Sequence, residues 1–208
     1  IFSINIPQNT DPNLKKRIWR KGLSDIRSGW VRSFSTPNVA RILPSKAIWS
    51  TFGGALVYGI VLIGTTLGAV ELAAGIGLMF MARGIGTGFG PMIGRWVIRD
   101  ERWYPRVSAI LISISGFFYL ILSLSSWNLY FVLCLIVLAH AASSANWVFS
   151  VVILQQRSED HWRGRLMSLD MLLSMSVTAI STLIASYAIE AELIDLRGLM
   201  IYSSVGLL

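Results

Sequence analysis

Arg83 is the residue whose position most demands an explanation. It stands at the midpoint of a 23-residue apolar run, Leu72 to Gly94, eleven residues from either end. A charge at the centre of a bilayer-crossing helix costs about 2.5–3.5 kcal/mol on insertion scales. Eleven residues of helix span about 16 Å, further than an arginine side chain reaches to an interface. Arg83 is therefore expected to face protein or a water-filled cavity. Two roles fit: a ligand or gate contact in a central cavity, or a buried guanidinium bonded to the carbonyls of neighbouring helices.

A second polar group is formed by His140, Ser143, Ser144, Asn146 and Trp147. They lie in a 50-residue stretch, Val107 to Gln156, that holds no Lys, Arg, Asp or Glu. A spacing of four puts His140 beside Ser144 and Ser143 beside Trp147 on a helix. Apolar surroundings offer such groups no partner, so they must line a cavity or bond helix to helix. A histidine at that depth could also carry protons. A third group is the segment QQRSEDHWRGR, residues 155–165, read as a loop, with Asp170 just beyond it. Its charges are either ordinary interfacial charge or an inter-helix network that breaks and reforms as the protein changes state.

No catalytic set accompanies these residues. There is no G-x-S-x-G, no H-E-x-x-H and no pair of carboxylates inside an apolar run. The glycines after Arg83 read G-x-G-x-G-x-G, which is not the dinucleotide fingerprint, and no G-x-x-x-x-G-K is present. No enzyme activity and no cofactor are expected. Cys134 is the lone cysteine, so neither an internal disulfide nor a zinc site is available, and it reads as a small apolar side chain. A lone His140, with His161 in a loop, does not make a metal site.

The elements that position these residues follow from hydropathy. Of 208 residues 54% are apolar and 14% charged, against about 25% charged in a soluble domain. The mean hydropathy is +0.61. A spanning helix needs about 20 apolar residues. Five spans are predicted, at about 47–70, 72–94, 107–125, 128–154 and 166–189, with an incomplete sixth at 198–208. The break inside the 50-residue stretch falls at Ser123-Leu124-Ser125-Ser126-Trp127-Asn128, a polar cluster with an interfacial Trp. The absence of an initiator Met and the end at Leu208 suggest a fragment.

Charge then sets orientation. The net charge of +7 would suggest nucleic acid on a soluble protein, but here its placement matters more. Segments 1–46, 95–106 and 155–165 hold sixteen Lys or Arg; segments 69–73, 124–128 and 190–197 hold only Arg197. The positive-inside rule puts the N-terminal segment in the cytoplasm. Within it, Leu14, Ile18, Trp19, Leu23, Ile26, Trp30, Val31 and Phe34 repeat at helical spacing, with Lys15, Lys16, Arg20, Lys21, Arg27 and Arg32 around them. Residues 14–34 are expected to form a basic amphipathic helix, lying on an anionic lipid surface or packed on a soluble domain. Gly86, Gly90 and Gly94 are four apart and form a helix-packing face, Gly84 and Gly88 a second short stripe. Pro91 is expected to bend that helix near its end.

Two stretches resemble the major facilitator superfamily, in particular its bacterial exporters of enterobactin and macrolide type. MARGIGTGFGPMIGR, Met81 to Arg95, looks like that branch's eighth span and following loop. ILQQRSEDHWRGRLMSL, Ile153 to Leu169, looks like its Arg-Gly-Arg turn between spans ten and eleven. The amphipathic segment is similar to the family's central connector. In the signature G-x-x-x-D-R, echoed at Gly90 to Arg95, Gly94 stands where the acid belongs. The resemblance implies an all-α polytopic bundle, the C-terminal six-helix half of a twelve-helix fold, with an absent N-terminal half as its partner. It implies alternating access and efflux of small amphipathic molecules coupled to inward proton flow, in a bacterial inner membrane. On that reading Arg83, His140, Asn146 and Trp147 are cavity candidates. Arg95, Arg163, Arg165 and Asp170 are candidates for a cytoplasmic gate. The rival reading is a membrane-embedded structural or assembly subunit without transport.

Overall fold

The protein is described here by a computed structural model, covering Gly22, Ser24, residues 27–29, Val31, Ser35, residues 43–67 and residues 72–208. Among these the fold is all-helical, with no strand. The helices are α1 (Leu43–Leu67), α2 (Leu72–Val97), α3 (Tyr104–Leu124), α4 (Leu129–Arg157), α5 (Asp160–Glu190) and α6 (Leu196–Val205). A 3-10 turn, Glu101–Trp103, precedes α3. Five helices are long and apolar enough to cross a membrane. The few described residues between 22 and 31 are helical, and the rest of the expected amphipathic segment at 14–34 lies outside the described residues.

Local chemistry sets the helix ends. Asn128 caps α4, its side-chain oxygen accepting from the Tyr130 N–H at 3.2 Å. Trp127 donates its indole N–H to the Leu122 carbonyl at 3.2 Å, tying the expected Ser123–Asn128 break into a tight turn. Pro105 sits in the first turn of α3, where no intrahelical donor is needed. Asp195 caps α6 by accepting from the Gly198 N–H at 3.1 Å. One boundary differs clearly from expectation. The loop placed at 155–165 is only Ser158 and Glu159, because α4 runs to Arg157 and α5 starts at Asp160. Hydropathy placed the fifth span at 166 because charges end an apolar run; they do not end a helix, and Arg163 and Arg165 lie in the first turns of α5. The same reason starts α1 at Leu43 and carries α2 to Val97. Pro91 lies inside α2, which runs through it unbroken.

Packing closes α1, α2, α4, α3 and α6 into a ring, each touching the next, and lays α5 against the outside of α1. The core inside the ring takes Leu56, Ile60 and Ile63 from α1, Met79 from α2, Tyr119 and Leu122 from α3, Ile136 from α4 and Met200 from α6. The α2–α4 seam is the glycine face. A Cβ at Gly86 or Gly90 would overlap the Val137 or Ala141 carbonyl oxygen, and one at Gly94 would lie 3.0 Å from the Phe149 ring. Gly84 and Gly88, the second stripe, have nothing within 4 Å of such a Cβ. The α1–α5 seam is polar. Ser181 donates to the Thr51 carbonyl at 2.6 Å and accepts from the Ala55 N–H, and Thr182 donates to the Gly54 carbonyl at 3.2 Å.

The seam predicts a position-specific response to one methyl group. Gly90→Ala and Gly86→Ala should each destabilise the protein by about 1–3 kcal/mol, the usual cost of overpacking. Gly84→Ala and Gly88→Ala should be neutral or slightly stabilising. Thermal unfolding of the four variants checks this, and equal effects at all four positions would sink the assignment of the seam.

Candidate functional site

The ring and the outlying α5 leave a cavity of about 360 Å³ between α2, α4 and α5, floored by α1. Its lining includes the four cavity candidates, Arg83 from α2 and His140, Asn146 and Trp147 from α4. Thr87 and Pro91 of α2, Ser143 and Ser144 of α4, and Lys46 and Trp49 of α1 share it, with Met175 and Thr178 from α5. Each helix turns one face inward at a spacing of three or four: Arg83, Thr87 and Pro91 are a straight i, i+4, i+8 row. Pro91 has no N–H to give the Thr87 carbonyl, so the α2 ladder is weakest where it meets the cavity.

Charge inside the site is unevenly satisfied. Lys46 and Asp170 form a hydrogen-bonded ion pair with side chains only 1% and 3% exposed. The Lys46 ammonium also stands 4.5 Å over the Trp147 ring. Three elements, α1, α4 and α5, thus meet around one cation. Arg83 is different. It lies 5.7 Å from the Phe80 ring and makes no hydrogen bond or ion pair with a described residue; its Nε is buried without a partner. Two other lining residues share that condition: Asn146, 2% exposed, at Oδ1, and Trp49 at its indole N–H. The hydroxyls are quieter. Ser143 donates to the His140 carbonyl at 3.3 Å and Thr178 to the Ser174 carbonyl at 2.8 Å, within their own helices. Ser144 donates to its own Ala141 carbonyl at 3.2 Å and also reaches the Gly86 carbonyl across the seam at 3.5 Å. His140 is held through Nε2 by the Tyr119 hydroxyl at 2.7 Å. The ring is therefore both cavity wall and α3–α4 link.

The four gate candidates are not brought together. Arg95 donates to the Tyr104 hydroxyl at 2.6 Å and lies 3.4 Å from Glu101, joining the end of α2 to the start of α3. Glu101 in turn pairs with the Gln156 amide of α4. Arg163 pairs with Asp160 of its own helix at 2.6 Å and donates to the Gln155 and Ser158 carbonyls, which the end of α4 leaves without helical donors. Arg165 lies 4.7 Å from the Trp162 ring. Asp170 is the correction. The sequence grouped it with these arginines, but one and a half to two turns of α5 carry it away from them and into the bundle, where it meets Lys46. Lys46 was counted with the topogenic charges of the N-terminal segment, and Trp49 and Tyr119 were not singled out. The sequence places Lys46 just before one span and Asp170 inside another, and gives no signal that the two meet. Among the described residues no three His, Cys, Asp or Glu come together as a metal site.

The pair predicts an asymmetric mutational response. Asp170→Ala or Lys46→Ala alone leaves one buried charge uncompensated and should cost about 3–5 kcal/mol, whereas the double variant Lys46→Met/Asp170→Leu should cost much less. Thermal unfolding of the purified protein reads this, and additive single and double effects would contradict the coupling.

No protein-family model, no curated protein and no solved structure matches this chain.

Proposed function

We propose that this chain is half of a secondary transporter of the major facilitator type. It would move small amphipathic molecules outward by alternating access, in exchange for protons, with the N-terminal segment on the cytoplasmic side of a bacterial inner membrane. The observation that carries the reading is the cavity itself. Its lining starts at Arg83 and His140, each eleven residues or about 16 Å from the start of α2 or α4, and runs to Pro91, Val148 and Lys46, so it reaches from mid-depth toward the basic helix ends. Its walls are mostly apolar, with a few polar groups aimed inward, which is the pattern of a small-molecule site. Substrate sites of alternating-access transporters lie near mid-depth, where two halves meet.

The charge distribution supports the orientation. Arg95, Arg99, Arg102, Arg106, Arg157, Arg163 and Arg165 all lie at or near the ends of α2, α3, α4 and α5 that share one side, and Arg197 lies at the other. Arg197 stands 5.3 Å from the Trp127 ring there. Most of the surface of α2 and α5 is left exposed by this chain, which supports a second half on the cavity's open side. One half cannot enclose a pathway, so residues 1–208 alone should not transport.

Water access separates this reading from an assembly subunit. With Cys134 replaced in the full-length protein, Arg83→Cys should react with a membrane-impermeant thiol reagent, and a transported substrate should slow that reaction. A position 83 inert to the reagent in folded protein would favour the structural role and defeat the transport proposal.

A further inference from the structure

We infer that the cavity selects a small organic anion of single charge carrying an aromatic body and a hydrogen-bond donor. This rests on the transporter reading and names the substrate class of the same site. The first step is a charge balance. Among the described residues two cations line the cavity, Lys46 and Arg83, and no carboxylate does. Lys46 is already neutralised by Asp170 and covered by the Trp147 ring. Arg83, a guanidinium cation, has no ionic partner among the described residues. This wall of the site therefore presents one net positive charge among the described residues. A cation entering would be repelled by this wall, and a dianion would have only one of its charges met by it.

The hydrogen-bonding balance points the same way. The Arg83 Nε–H and the Trp49 indole N–H are buried donors without acceptors. A carboxylate offers an acceptor to either, and its planar pair of oxygens matches the guanidinium fork. The Asn146 Oδ1 is the converse, a buried acceptor without a donor. A hydroxyl or amide N–H on the ligand would satisfy it. Most other polar groups on the wall already have partners: His140 bonds Tyr119, and Ser143, Ser144 and Thr178 bond backbone carbonyls. The fully buried atoms left without partners on the wall are thus two N–H groups and one amide oxygen. Between them the wall is aromatic and aliphatic, with Trp49, Trp147, Val57 and Met175. At about 360 Å³ the space is at the small end of ligand pockets, roughly 300–1,000 Å³, and suits a fused-ring acid rather than a macrocycle.

Three probes with one ring system and one hydroxyl isolate the charge: 6-hydroxy-2-naphthoate, 2-naphthol and 6-(aminomethyl)-2-naphthol. Binding to the purified full-length protein is measured by titration calorimetry, and uptake into proteoliposomes with the same preparation. The naphthoate should bind at least about ten-fold more tightly than the amine. Arg83→Gln should remove that preference while its unfolding temperature stays near that of the parent, and Arg83→Lys should restore part of it. Asn146→Leu should weaken 6-hydroxy-2-naphthoate but not 2-naphthoate. If the amine binds or is transported as well as the naphthoate, or if Arg83→Gln leaves naphthoate affinity unchanged, the anion assignment falls while the transporter reading stands. If no probe of any charge binds or moves with folded protein, both fall.

Discussion

Everything in this fold depends on one constraint: a helix that is apolar on nearly every face leaves its few polar atoms no solvent partner, so they must be satisfied across helices. The α1–α5 contact is built that way, from Ser181 and Thr182 bonded to the backbone of α1. The α3–α4 contact carries the Tyr119–His140 bond, and the Lys46–Asp170 pair pins α1 to α5 beside Trp147 of α4. Apolar burial fills the ring, but it is non-directional and would tolerate many rotations of each helix. The polar links choose among them, because a wrong rotation strands a donor or a charge.

The glycine seam does the complementary work. With Gly86 and Gly90 against the Val137 and Ala141 carbonyls, α2 approaches α4 backbone to backbone. That closeness turns the Arg83, Thr87 and Pro91 row toward the face of α4 that carries Asn146 and Trp147. A larger residue at either glycine would push α2 away and open the cavity wall. Seam and site are therefore one feature, with the glycines setting the distance and the row of larger side chains setting the chemistry. α5 closes the site from the other side, contributing Met175 and Thr178.

The charges at the basic helix ends and the pair inside the bundle are organised differently. At the basic end, exposed charges make short-range pairs: Arg95 with Tyr104 and Glu101, Arg163 with Asp160 and the end of α4. Such pairs are individually worth little and can be exchanged at small cost. The buried Lys46–Asp170 pair cannot be separated so cheaply. Asp170 is thus held inside the bundle, apart from the exchangeable pairs at the helix ends.

Much of this was legible in the residues alone. Hydropathy located five apolar helices and a sixth shorter one, because the length of an apolar run is a local property. The four-residue spacing of Gly86, Gly90 and Gly94 located the closest helix contact, since periodicity alone puts them on one face. The isolation of Arg83, and the polar cluster His140 to Trp147, marked the wall of the cavity, because a polar group in an apolar run must turn inward. Partner choice was not legible. Nothing local to Lys46 says that it meets an acid 124 positions away rather than water, and nothing near Asp170 separates it from the arginines of the preceding turns. Tyr119 looked like any aromatic residue of a span until packing set its hydroxyl against His140. Those pairings are decided by which helix faces the ring brings together, and that depends on all six helices at once. Sequence determined what must be buried and on which face; the tertiary structure decided with what, because satisfaction of a buried polar atom is a property of the contact and not of the residue.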